Sequence, residues 1–427
     1  MLARPAAGQQ LSVMTLPISV PNTIPVMNRK PAPASRSTLY DLVILGGGCA
    51  GLSLAMRLAE LGPHCPRMLI LEQRSGYTND RSWCFWDRED TPLRHLVKHR
   101  WPLMRIQDSD HATTVSCGDT PYQMIAAETF YAEALAVIRR SSRIDLVMNA
   151  SVVAAPTKSG KRWHIETSEG RRTAMTVVDT RPRHEPRRGG AVLWQSFSGH
   201  EVICQEPAFD PACLDLMDFS HSDPASIRFD YVLPLSPNRA LIEVTRFAPE
   251  PFGRTDLASD LTTATRQRVR RAPFTIVRSE SGILPMGSAP VTAAPAVARD
   301  PSYVYAGLAS GGARPSTGYA FQRIQRWADS CARLIGRGEA QAGHPSDPLL
   351  LRAMDHIFLS VLRTQPAVAP AVFLTLFERA DTARVIRFLS DRGTLADYLA
   401  IIAALPFGPF LKELPRGLMT MAHRAPA

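Results

Sequence analysis

The sequence predicts an α/β fold. It reads as a Rossmann-type dinucleotide-binding domain with an antiparallel β-sheet substrate domain inserted into it, followed by a helical C-terminal region. Three observations carry this. Tyr40 to Glu72 reads strand, glycine turn, helix, strand, acid. Residues 191–247 read mostly as strands. A second strand–glycine loop–helix lies at 302–335, and everything after 348 is helical in pattern.

The first unit is built around Gly46-Gly47-Gly48-Cys49-Ala50-Gly51, a G-x-G-x-x-G. The apolar run Leu42 to Leu45 leads into it, and Leu52, Ala55, Met56 and Ala59 follow at helical spacing. A second apolar run, Met68 to Leu71, ends on Glu72. Each part suits a dinucleotide. Gly46 permits the tight turn, Gly48 lets a pyrophosphate approach the backbone, and Gly51 lets helix pack on strand. The helix N-terminus offers N–H groups to phosphates. Glu72 stands where a ribose diol is bound. The motif by itself does not choose between FAD and NAD(P). The next loop, Tyr77 to Asp87, sets Asp80-Arg81 among aromatics, and Arg81 is a cation able to meet a phosphate or carboxylate.

Composition narrows the class. The 427 residues allow two or three subdomains. A net charge of +10 suits an anionic surface, and nothing resembles a nucleic-acid-binding module. The seven cysteines are scattered with no C-x-x-C, so neither a zinc site nor a disulfide framework is expected, and reduced thiols fit the cytoplasm. No apolar segment reaches the ~18–20 residues of a spanning helix. The nearest, Tyr398 to Leu411, is broken by Pro406, Gly408 and Pro409.

In order, residues 1–38 read as a disordered extension. Residues 39–185 form the first part of the dinucleotide-binding domain and 186–285 the substrate-binding β domain. Residues 286–340 return to the first domain, and 341–420 form the helical region, a candidate membrane contact. Within this frame, 121–140 reads as a helix with Tyr122, Ile125, Phe130, Leu135 and Ile138 inward. Residues 144–156, 162–167 and 177–181 read as strands, 181–190 as a basic loop, and 255–271 as a helix. Two strands should meet at Pro237-Asn238.

The second glycine loop runs from Gly307 through Gly311, Gly312 and Thr317 to Tyr319, with Ser316 or Thr317 as helix cap. Two such units about 260 residues apart suggest one long ligand held at two places. FAD is long enough.

NDRSWCFW, LMDFS, YVLPLSPNRALIEVT, GILPM, GGARPSTGYAF and MDHIFLSVL, in this order, resemble the bacterial lycopene β-cyclase family, from about 40 to 415. The resemblance implies cyclisation of the ψ-ends of lycopene and related carotenoids, through one-ringed γ-carotene to two-ringed β-carotene. It implies no net redox, yet a need for reduced FAD with NADPH as reductant. It implies a peripheral protein on the inner face of the cell membrane.

The chemistry needs an acid, a stabilised cation and a base. Glu243, in LIEVT, matches the family's acidic position. A carboxyl among apolar side chains holds its proton. The family often has a second acid next to it, where this chain has Val244, so the work falls on Glu243 alone or with a distant group. Asp218 and Glu280 are candidates for that group. Trp83, Phe85 and Trp86 are candidate π-faces for the cation. Pro182 and Ser82 stand where the family has glycine and threonine. Two rivals stay open: a flavin monooxygenase or prenyl-chain reductase of the same architecture, and a silent carotenoid-binding scaffold.

Overall fold

A computed structural model describes residues 24, 39–88, 92–182, 192–222, 226–270, 272–287 and 300–413. The extension expected at 1–38, all but residues 24, lies outside them, as does most of the basic loop at 181–190.

The chain opens with β1 (Leu39–Leu45), α1 (Cys49–Ala59), β2 (Met68–Leu71) and β3 (Ser82–Trp86). Then come β4 (His99–Trp101), β5 (Leu103–Gln107), β6 (Ala112–Ser116), β7 (Tyr122–Ala126) and α2 (Ala127–Arg140). Four strands follow: β8 (Ile144–Val147), β9 (Thr157–Ser159), β10 (Arg162–Thr167) and β11 (Gly170–Asp179). The middle of the chain is β12 (Leu193–Cys204), β13 (Cys213–Asp218), β14 (Ile227–Ser236), β15 (Arg239–Ala248), α3 (Ala258–Arg268) and β16 (Phe274–Met286). It closes with β17 (Tyr303–Tyr305), α4 (Phe321–Gly336), α5 (Leu349–Thr364), α6 (Ala369–Arg379), α7 (Thr382–Leu389) and α8 (Leu395–Ala404).

The first sheet runs β8-β2-β1-β11-β10-β9, with β17 also on β11. Its β8, β2, β1, β11 and β17 pair in parallel. Leu42 to Leu45 are all buried, the unbroken apolar run of a strand covered on both faces. α1 lies on this sheet against α2 and α4, and residues 50–56 of α1 are all buried.

The second sheet runs β16-β12-β15-β14-β13-β5-β6. Its last two strands come from the stretch read as the first part of the dinucleotide domain. One face is covered by α3, with Ile242 and Val244 packed on Leu261 and Ala264. The other carries Leu233 and Leu241 into a core shared with the C-terminal helices. The β14–β15 hairpin turns at Pro237-Asn238 as expected.

A third sheet, β3-β7-β4, differs from expectation. The helix read from 121 starts at Ala127, because Tyr122 to Ala126 are drawn into pairing with β3 and β4. Long-range pairing overrides a local pattern that fits either element. Likewise the strand read over 144–156 ends at Val147.

Candidate functional site

The two glycine loops, far apart in sequence, meet at the C-terminal ends of β1, β11 and β17. This is the crevice in which parallel α/β sheets bind ligands. Gly46 has φ of 98°, open to glycine at little cost. A Cβ at Gly51 would lie 2.1 Å from the Gly46 carbonyl oxygen, so only glycine lets α1 pack this close. A Cβ at Gly48 would meet nothing within 4 Å. Gly48 caps α1 with no side-chain hydrogen bond to the first helix N–H groups.

Glu72 is clamped to this loop. Gly47 N donates to its Oε2 at 2.8 Å, and Arg74 N and Nε donate to Oε1 at 2.8 and 3.1 Å. Arg74 and Tyr77 both donate to the Gly47 carbonyl. Arg81 is half-exposed and paired with Asp80 at 2.9 Å. Cys49 begins α1, and Ala50 underlies the second loop, where a Cβ on Gly307 would come within 3.2 Å of Ala50 Cβ. Thr180 joins the two loops, donating to the carbonyls of Leu45 and Gly46 at 3.0 Å while lying beside Gly307.

Gly307 and Gly311 have φ of 84° and 88°. A Cβ on Gly312 would lie 2.6 Å from the Gly307 oxygen. His344 Nε2 accepts from Gly307 N at 3.0 Å, and burial lowers the imidazole pKa to about 4, which keeps this acceptor neutral. The expected cap differs. α4 begins after Ala320 with no side-chain cap, and Ser316 donates instead to Asp355 Oδ1 at 2.8 Å. Thr317 Oγ1 accepts from Tyr319 N.

Glu243 lies on β15, on the face turned away from α3. Strand register places Tyr231, Glu243, Gly199 and Glu280 in one row across β14, β15, β12 and β16. Opposed residues in a sheet share a face. Gly199 thus sits between two glutamates and leaves a gap. A Cβ there would lie 2.7 Å from Glu243 Cγ and 3.1 Å from its Oε1. Glu243 fills the gap toward Glu280. Burial, and then the negative charge of Glu280, push the Glu243 carboxyl well above the usual range. Among the described residues its Oε1 has no hydrogen-bond partner.

Glu280 differs in its partners. Arg278 donates to it, and so does Ser82 Oγ at 3.1 Å. Ser82 and Cys84 of β3 cover the pair. Trp83 and Phe85 point the other way and stack on Phe321, so they do not face the acids. Trp86 packs on Tyr122 and Tyr319. The residue opposed to Glu243 on β14 is Tyr231, whose OH donates to Tyr122 OH at 3.0 Å.

Asp218 is placed elsewhere. It opposes Asp230, which opposes Val244, one residue out of step with Glu243 and hence on the α3 face. There it pairs with Arg268 and accepts from Gln107 at 2.6 Å.

Gly199 and Arg278 were not singled out by the sequence reading. A lone glycine inside a strand pattern, here SFSGHEVI, is the signal that marks close approach of another group. Arg278 carries no such signal, because its hold on Glu201 and Ser82 depends on the pairing with other strands.

This fold is shared with solved proteins of low sequence identity. It matches a geranylgeranyl bacteriochlorophyll reductase-like protein of Thermoplasma acidophilum with TM-score 0.56 and 13% identity, over 89% of this chain and 99% of that one. It matches p-nitrophenol 4-monooxygenase of Pseudomonas putida with TM-score 0.55 and 15% identity, over 88% and 99%. These define the class: an α/β chain with a Rossmann-type dinucleotide-binding domain, an antiparallel sheet and a helical C-terminal region. The family model described as lycopene cyclase protein matches residues 41–414, and the chain belongs to that family. Among its relatives, the lycopene beta-cyclase of Paracoccus sp. is 29% identical, covering 88% of this chain and 97% of that one. The lycopene beta-cyclase of Pantoea ananas is 25% identical, over 90% and 99%.

Proposed function

We propose that the chain is a flavin-dependent lycopene β-cyclase that closes rings by acid–base chemistry with no net redox. The observation that carries this is the unequal glutamate pair across Gly199. Glu243, buried and pushed toward its neutral form, is the acid. It gives its proton to the terminal C=C of a ψ-end, and the resulting tertiary cation is attacked by a double bond further along the chain. Glu280, ion-paired to Arg278, is the base that takes a proton from beside the new ring. One proton enters and one leaves, and no electrons are transferred.

The residues fit FAD. The open space at Gly48 and the uncapped start of α1 suit a pyrophosphate. Gly46 to Gly51, Glu72 and Arg81 would hold its ADP half, and Gly307, Gly311, Gly312 and Thr317 its flavin half. When bound and reduced, with NADPH as reductant, the flavin would supply negative charge that favours the cationic stage. In this reading 39–185 and 286–340 hold FAD, and 186–285 holds the carotenoid.

We place the protein on the inner face of the cell membrane. Leu349, Leu350, Leu395, Leu399, Phe407 and Leu411 are exposed large apolar side chains of the C-terminal helical region. Among the described residues no single helix is long and apolar enough to span, although two bent pairs pass by length and composition. Flotation with anionic vesicles tests this part, and a protein left in the soluble fraction overturns it.

Expression in a lycopene-accumulating bacterium tests the whole. β-Carotene is the expected pigment, with NADPH consumption far below one per ring. Unchanged lycopene, with folded protein and flavin present, overturns the cyclase reading. Stoichiometric NADPH use moves it to the reductase or monooxygenase class.

A further inference from the structure

Glu243 and Glu280 are the same residue type on one sheet face, yet the proposed cyclisation asks them to hold different charges. Their side-chain chemistry does not distinguish them. Their neighbours do. Arg278 lies two residues before Glu280 on β16 and so shares its face. Its side chain is 10% exposed. It donates to Glu280, to Glu201 Oε2 at 2.6 Å, and to Ser82 Oγ at 2.9 Å, while Ser82 donates on to Glu280.

The groups facing Glu280 come from five further elements. β12 gives Glu201, which is shared between Arg278 and Arg239. β15 gives Glu243 and Arg239, and β14 gives Tyr231. β3 gives Ser82 and Cys84. His99 of β4 lies by Glu201 and Arg239, and burial lowers its imidazole pKa. Three carboxyls thus meet two guanidinium groups. Glu201 and Glu280 each have an ion pair, and no ion pair reaches Glu243 among the described residues.

We propose that Arg278 is the positioning residue that assigns the two roles, holding the negative charge on Glu280 and so leaving the proton on Glu243. This rests on the acid–base reading of the pair given above. Burial works against the charge of Arg278, and Glu280 and Glu201 more than offset it, raising its pKa further. Without this cation, the two glutamates would compete for protons at a pH where only one should carry one.

The test is the pH dependence of the initial rate of ring formation from lycopene in liposomes with reduced FAD. The acid limb of that profile reports the carboxylate needed as base. Arg278→Gln is expected to move it up by roughly one to three pH units, the usual effect of one adjacent opposite charge. Arg278→Lys keeps a charge without the two-pronged fork and should hold the limb close to its parent position. Glu201→Gln breaks the same ion-pair chain from its other side and leaves Arg278 to Glu280, so the limb should not rise. If Arg278→Gln does not fold, Ser82→Ala should move the limb the same way by a smaller step. An unmoved limb in the folded Arg278→Gln protein, or in Ser82→Ala where Arg278→Gln does not fold, overturns the proposal. An equal loss of rate at every pH in Arg278→Gln and Glu201→Gln also overturns it, as that is plain structural damage. These outcomes leave the cyclase reading standing so long as Glu243→Gln is inactive. A fully active Glu243→Gln overturns that reading instead.

Discussion

The two faces of the second sheet carry similar residues and treat them differently. On the α3 face, Asp215, Asp218, Asp230 and Asp260 meet Arg105, Arg228, Arg246 and Arg268. Charges there match one for one, Asp230 being the loosest, 3.6 Å from Arg228 and pushed up by burial, and α3 closes the face with Leu261 and Ala264. On the opposite face Glu201, Glu243 and Glu280 meet, among the described residues, the guanidinium groups of Arg239 and Arg278 alone. One carboxyl is in excess, and it is the one in the gap over Gly199. A buried acid with its counter-charge is an ordinary structural ion pair. A buried acid without one keeps its proton, and a proton kept in an apolar place is a reagent.

The contrast is broken most directly at Glu243. Glu243→Gln keeps the shape and removes the acid, and ring formation should fall by about 10²- to 10⁴-fold with flavin content retained. Pigment analysis measures it, and full activity would erase the distinction between the faces. Asp215→Asn makes the reciprocal test. Breaking one partner of a buried pair costs about 3–5 kcal/mol. Chemical denaturation should show that loss, while the rate per folded molecule and its pH profile stay as they were. Gly199→Ala sharpens the geometry. The new methyl group would displace Glu243 from Glu280, and a displacement of about 1 Å is worth roughly a hundredfold in rate. Wild-type rates with a folded Gly199→Ala protein would mean that the glutamates need not approach.

The smallest effect is on stability. The folded pKa of Glu243 is raised, so its contribution is complete below the ordinary glutamate range and is lost as pH climbs toward the folded value. From about pH 4.3 upward the protein should lose up to ~1.4 kcal/mol per pH unit from this group. Thermal unfolding at several pH values should show that slope in the parent and its absence in Glu243→Gln.

The dinucleotide crevice was legible because its signals are local. Gly46, Gly51 and Glu72 lie within one βαβ unit, and the turn, the close packing and the acid all follow from spacing along one stretch of chain. The spacing sets Glu72 where a ribose is expected, and in the structure its hydrogen bonds to Gly47 and Arg74 tie the loop together. Tyr122 to Ala126 fit a helical pattern as well as a strand, and partners from β3 and β4 decide for the strand.

The acid site divides the same way. Sequence alone determined that Glu243 sits in a strand among apolar residues, with Asp218 and Glu280 as possible partners. Only the tertiary structure decided between them. Strand side chains alternate, so a shift of one residue in register turns every side chain to the other face. The pairing of β15, β12 and β16 therefore settles that Glu280 shares a face with Glu243 and Asp218 does not. That pairing joins strands that are not consecutive along the chain, and no local spacing encodes it.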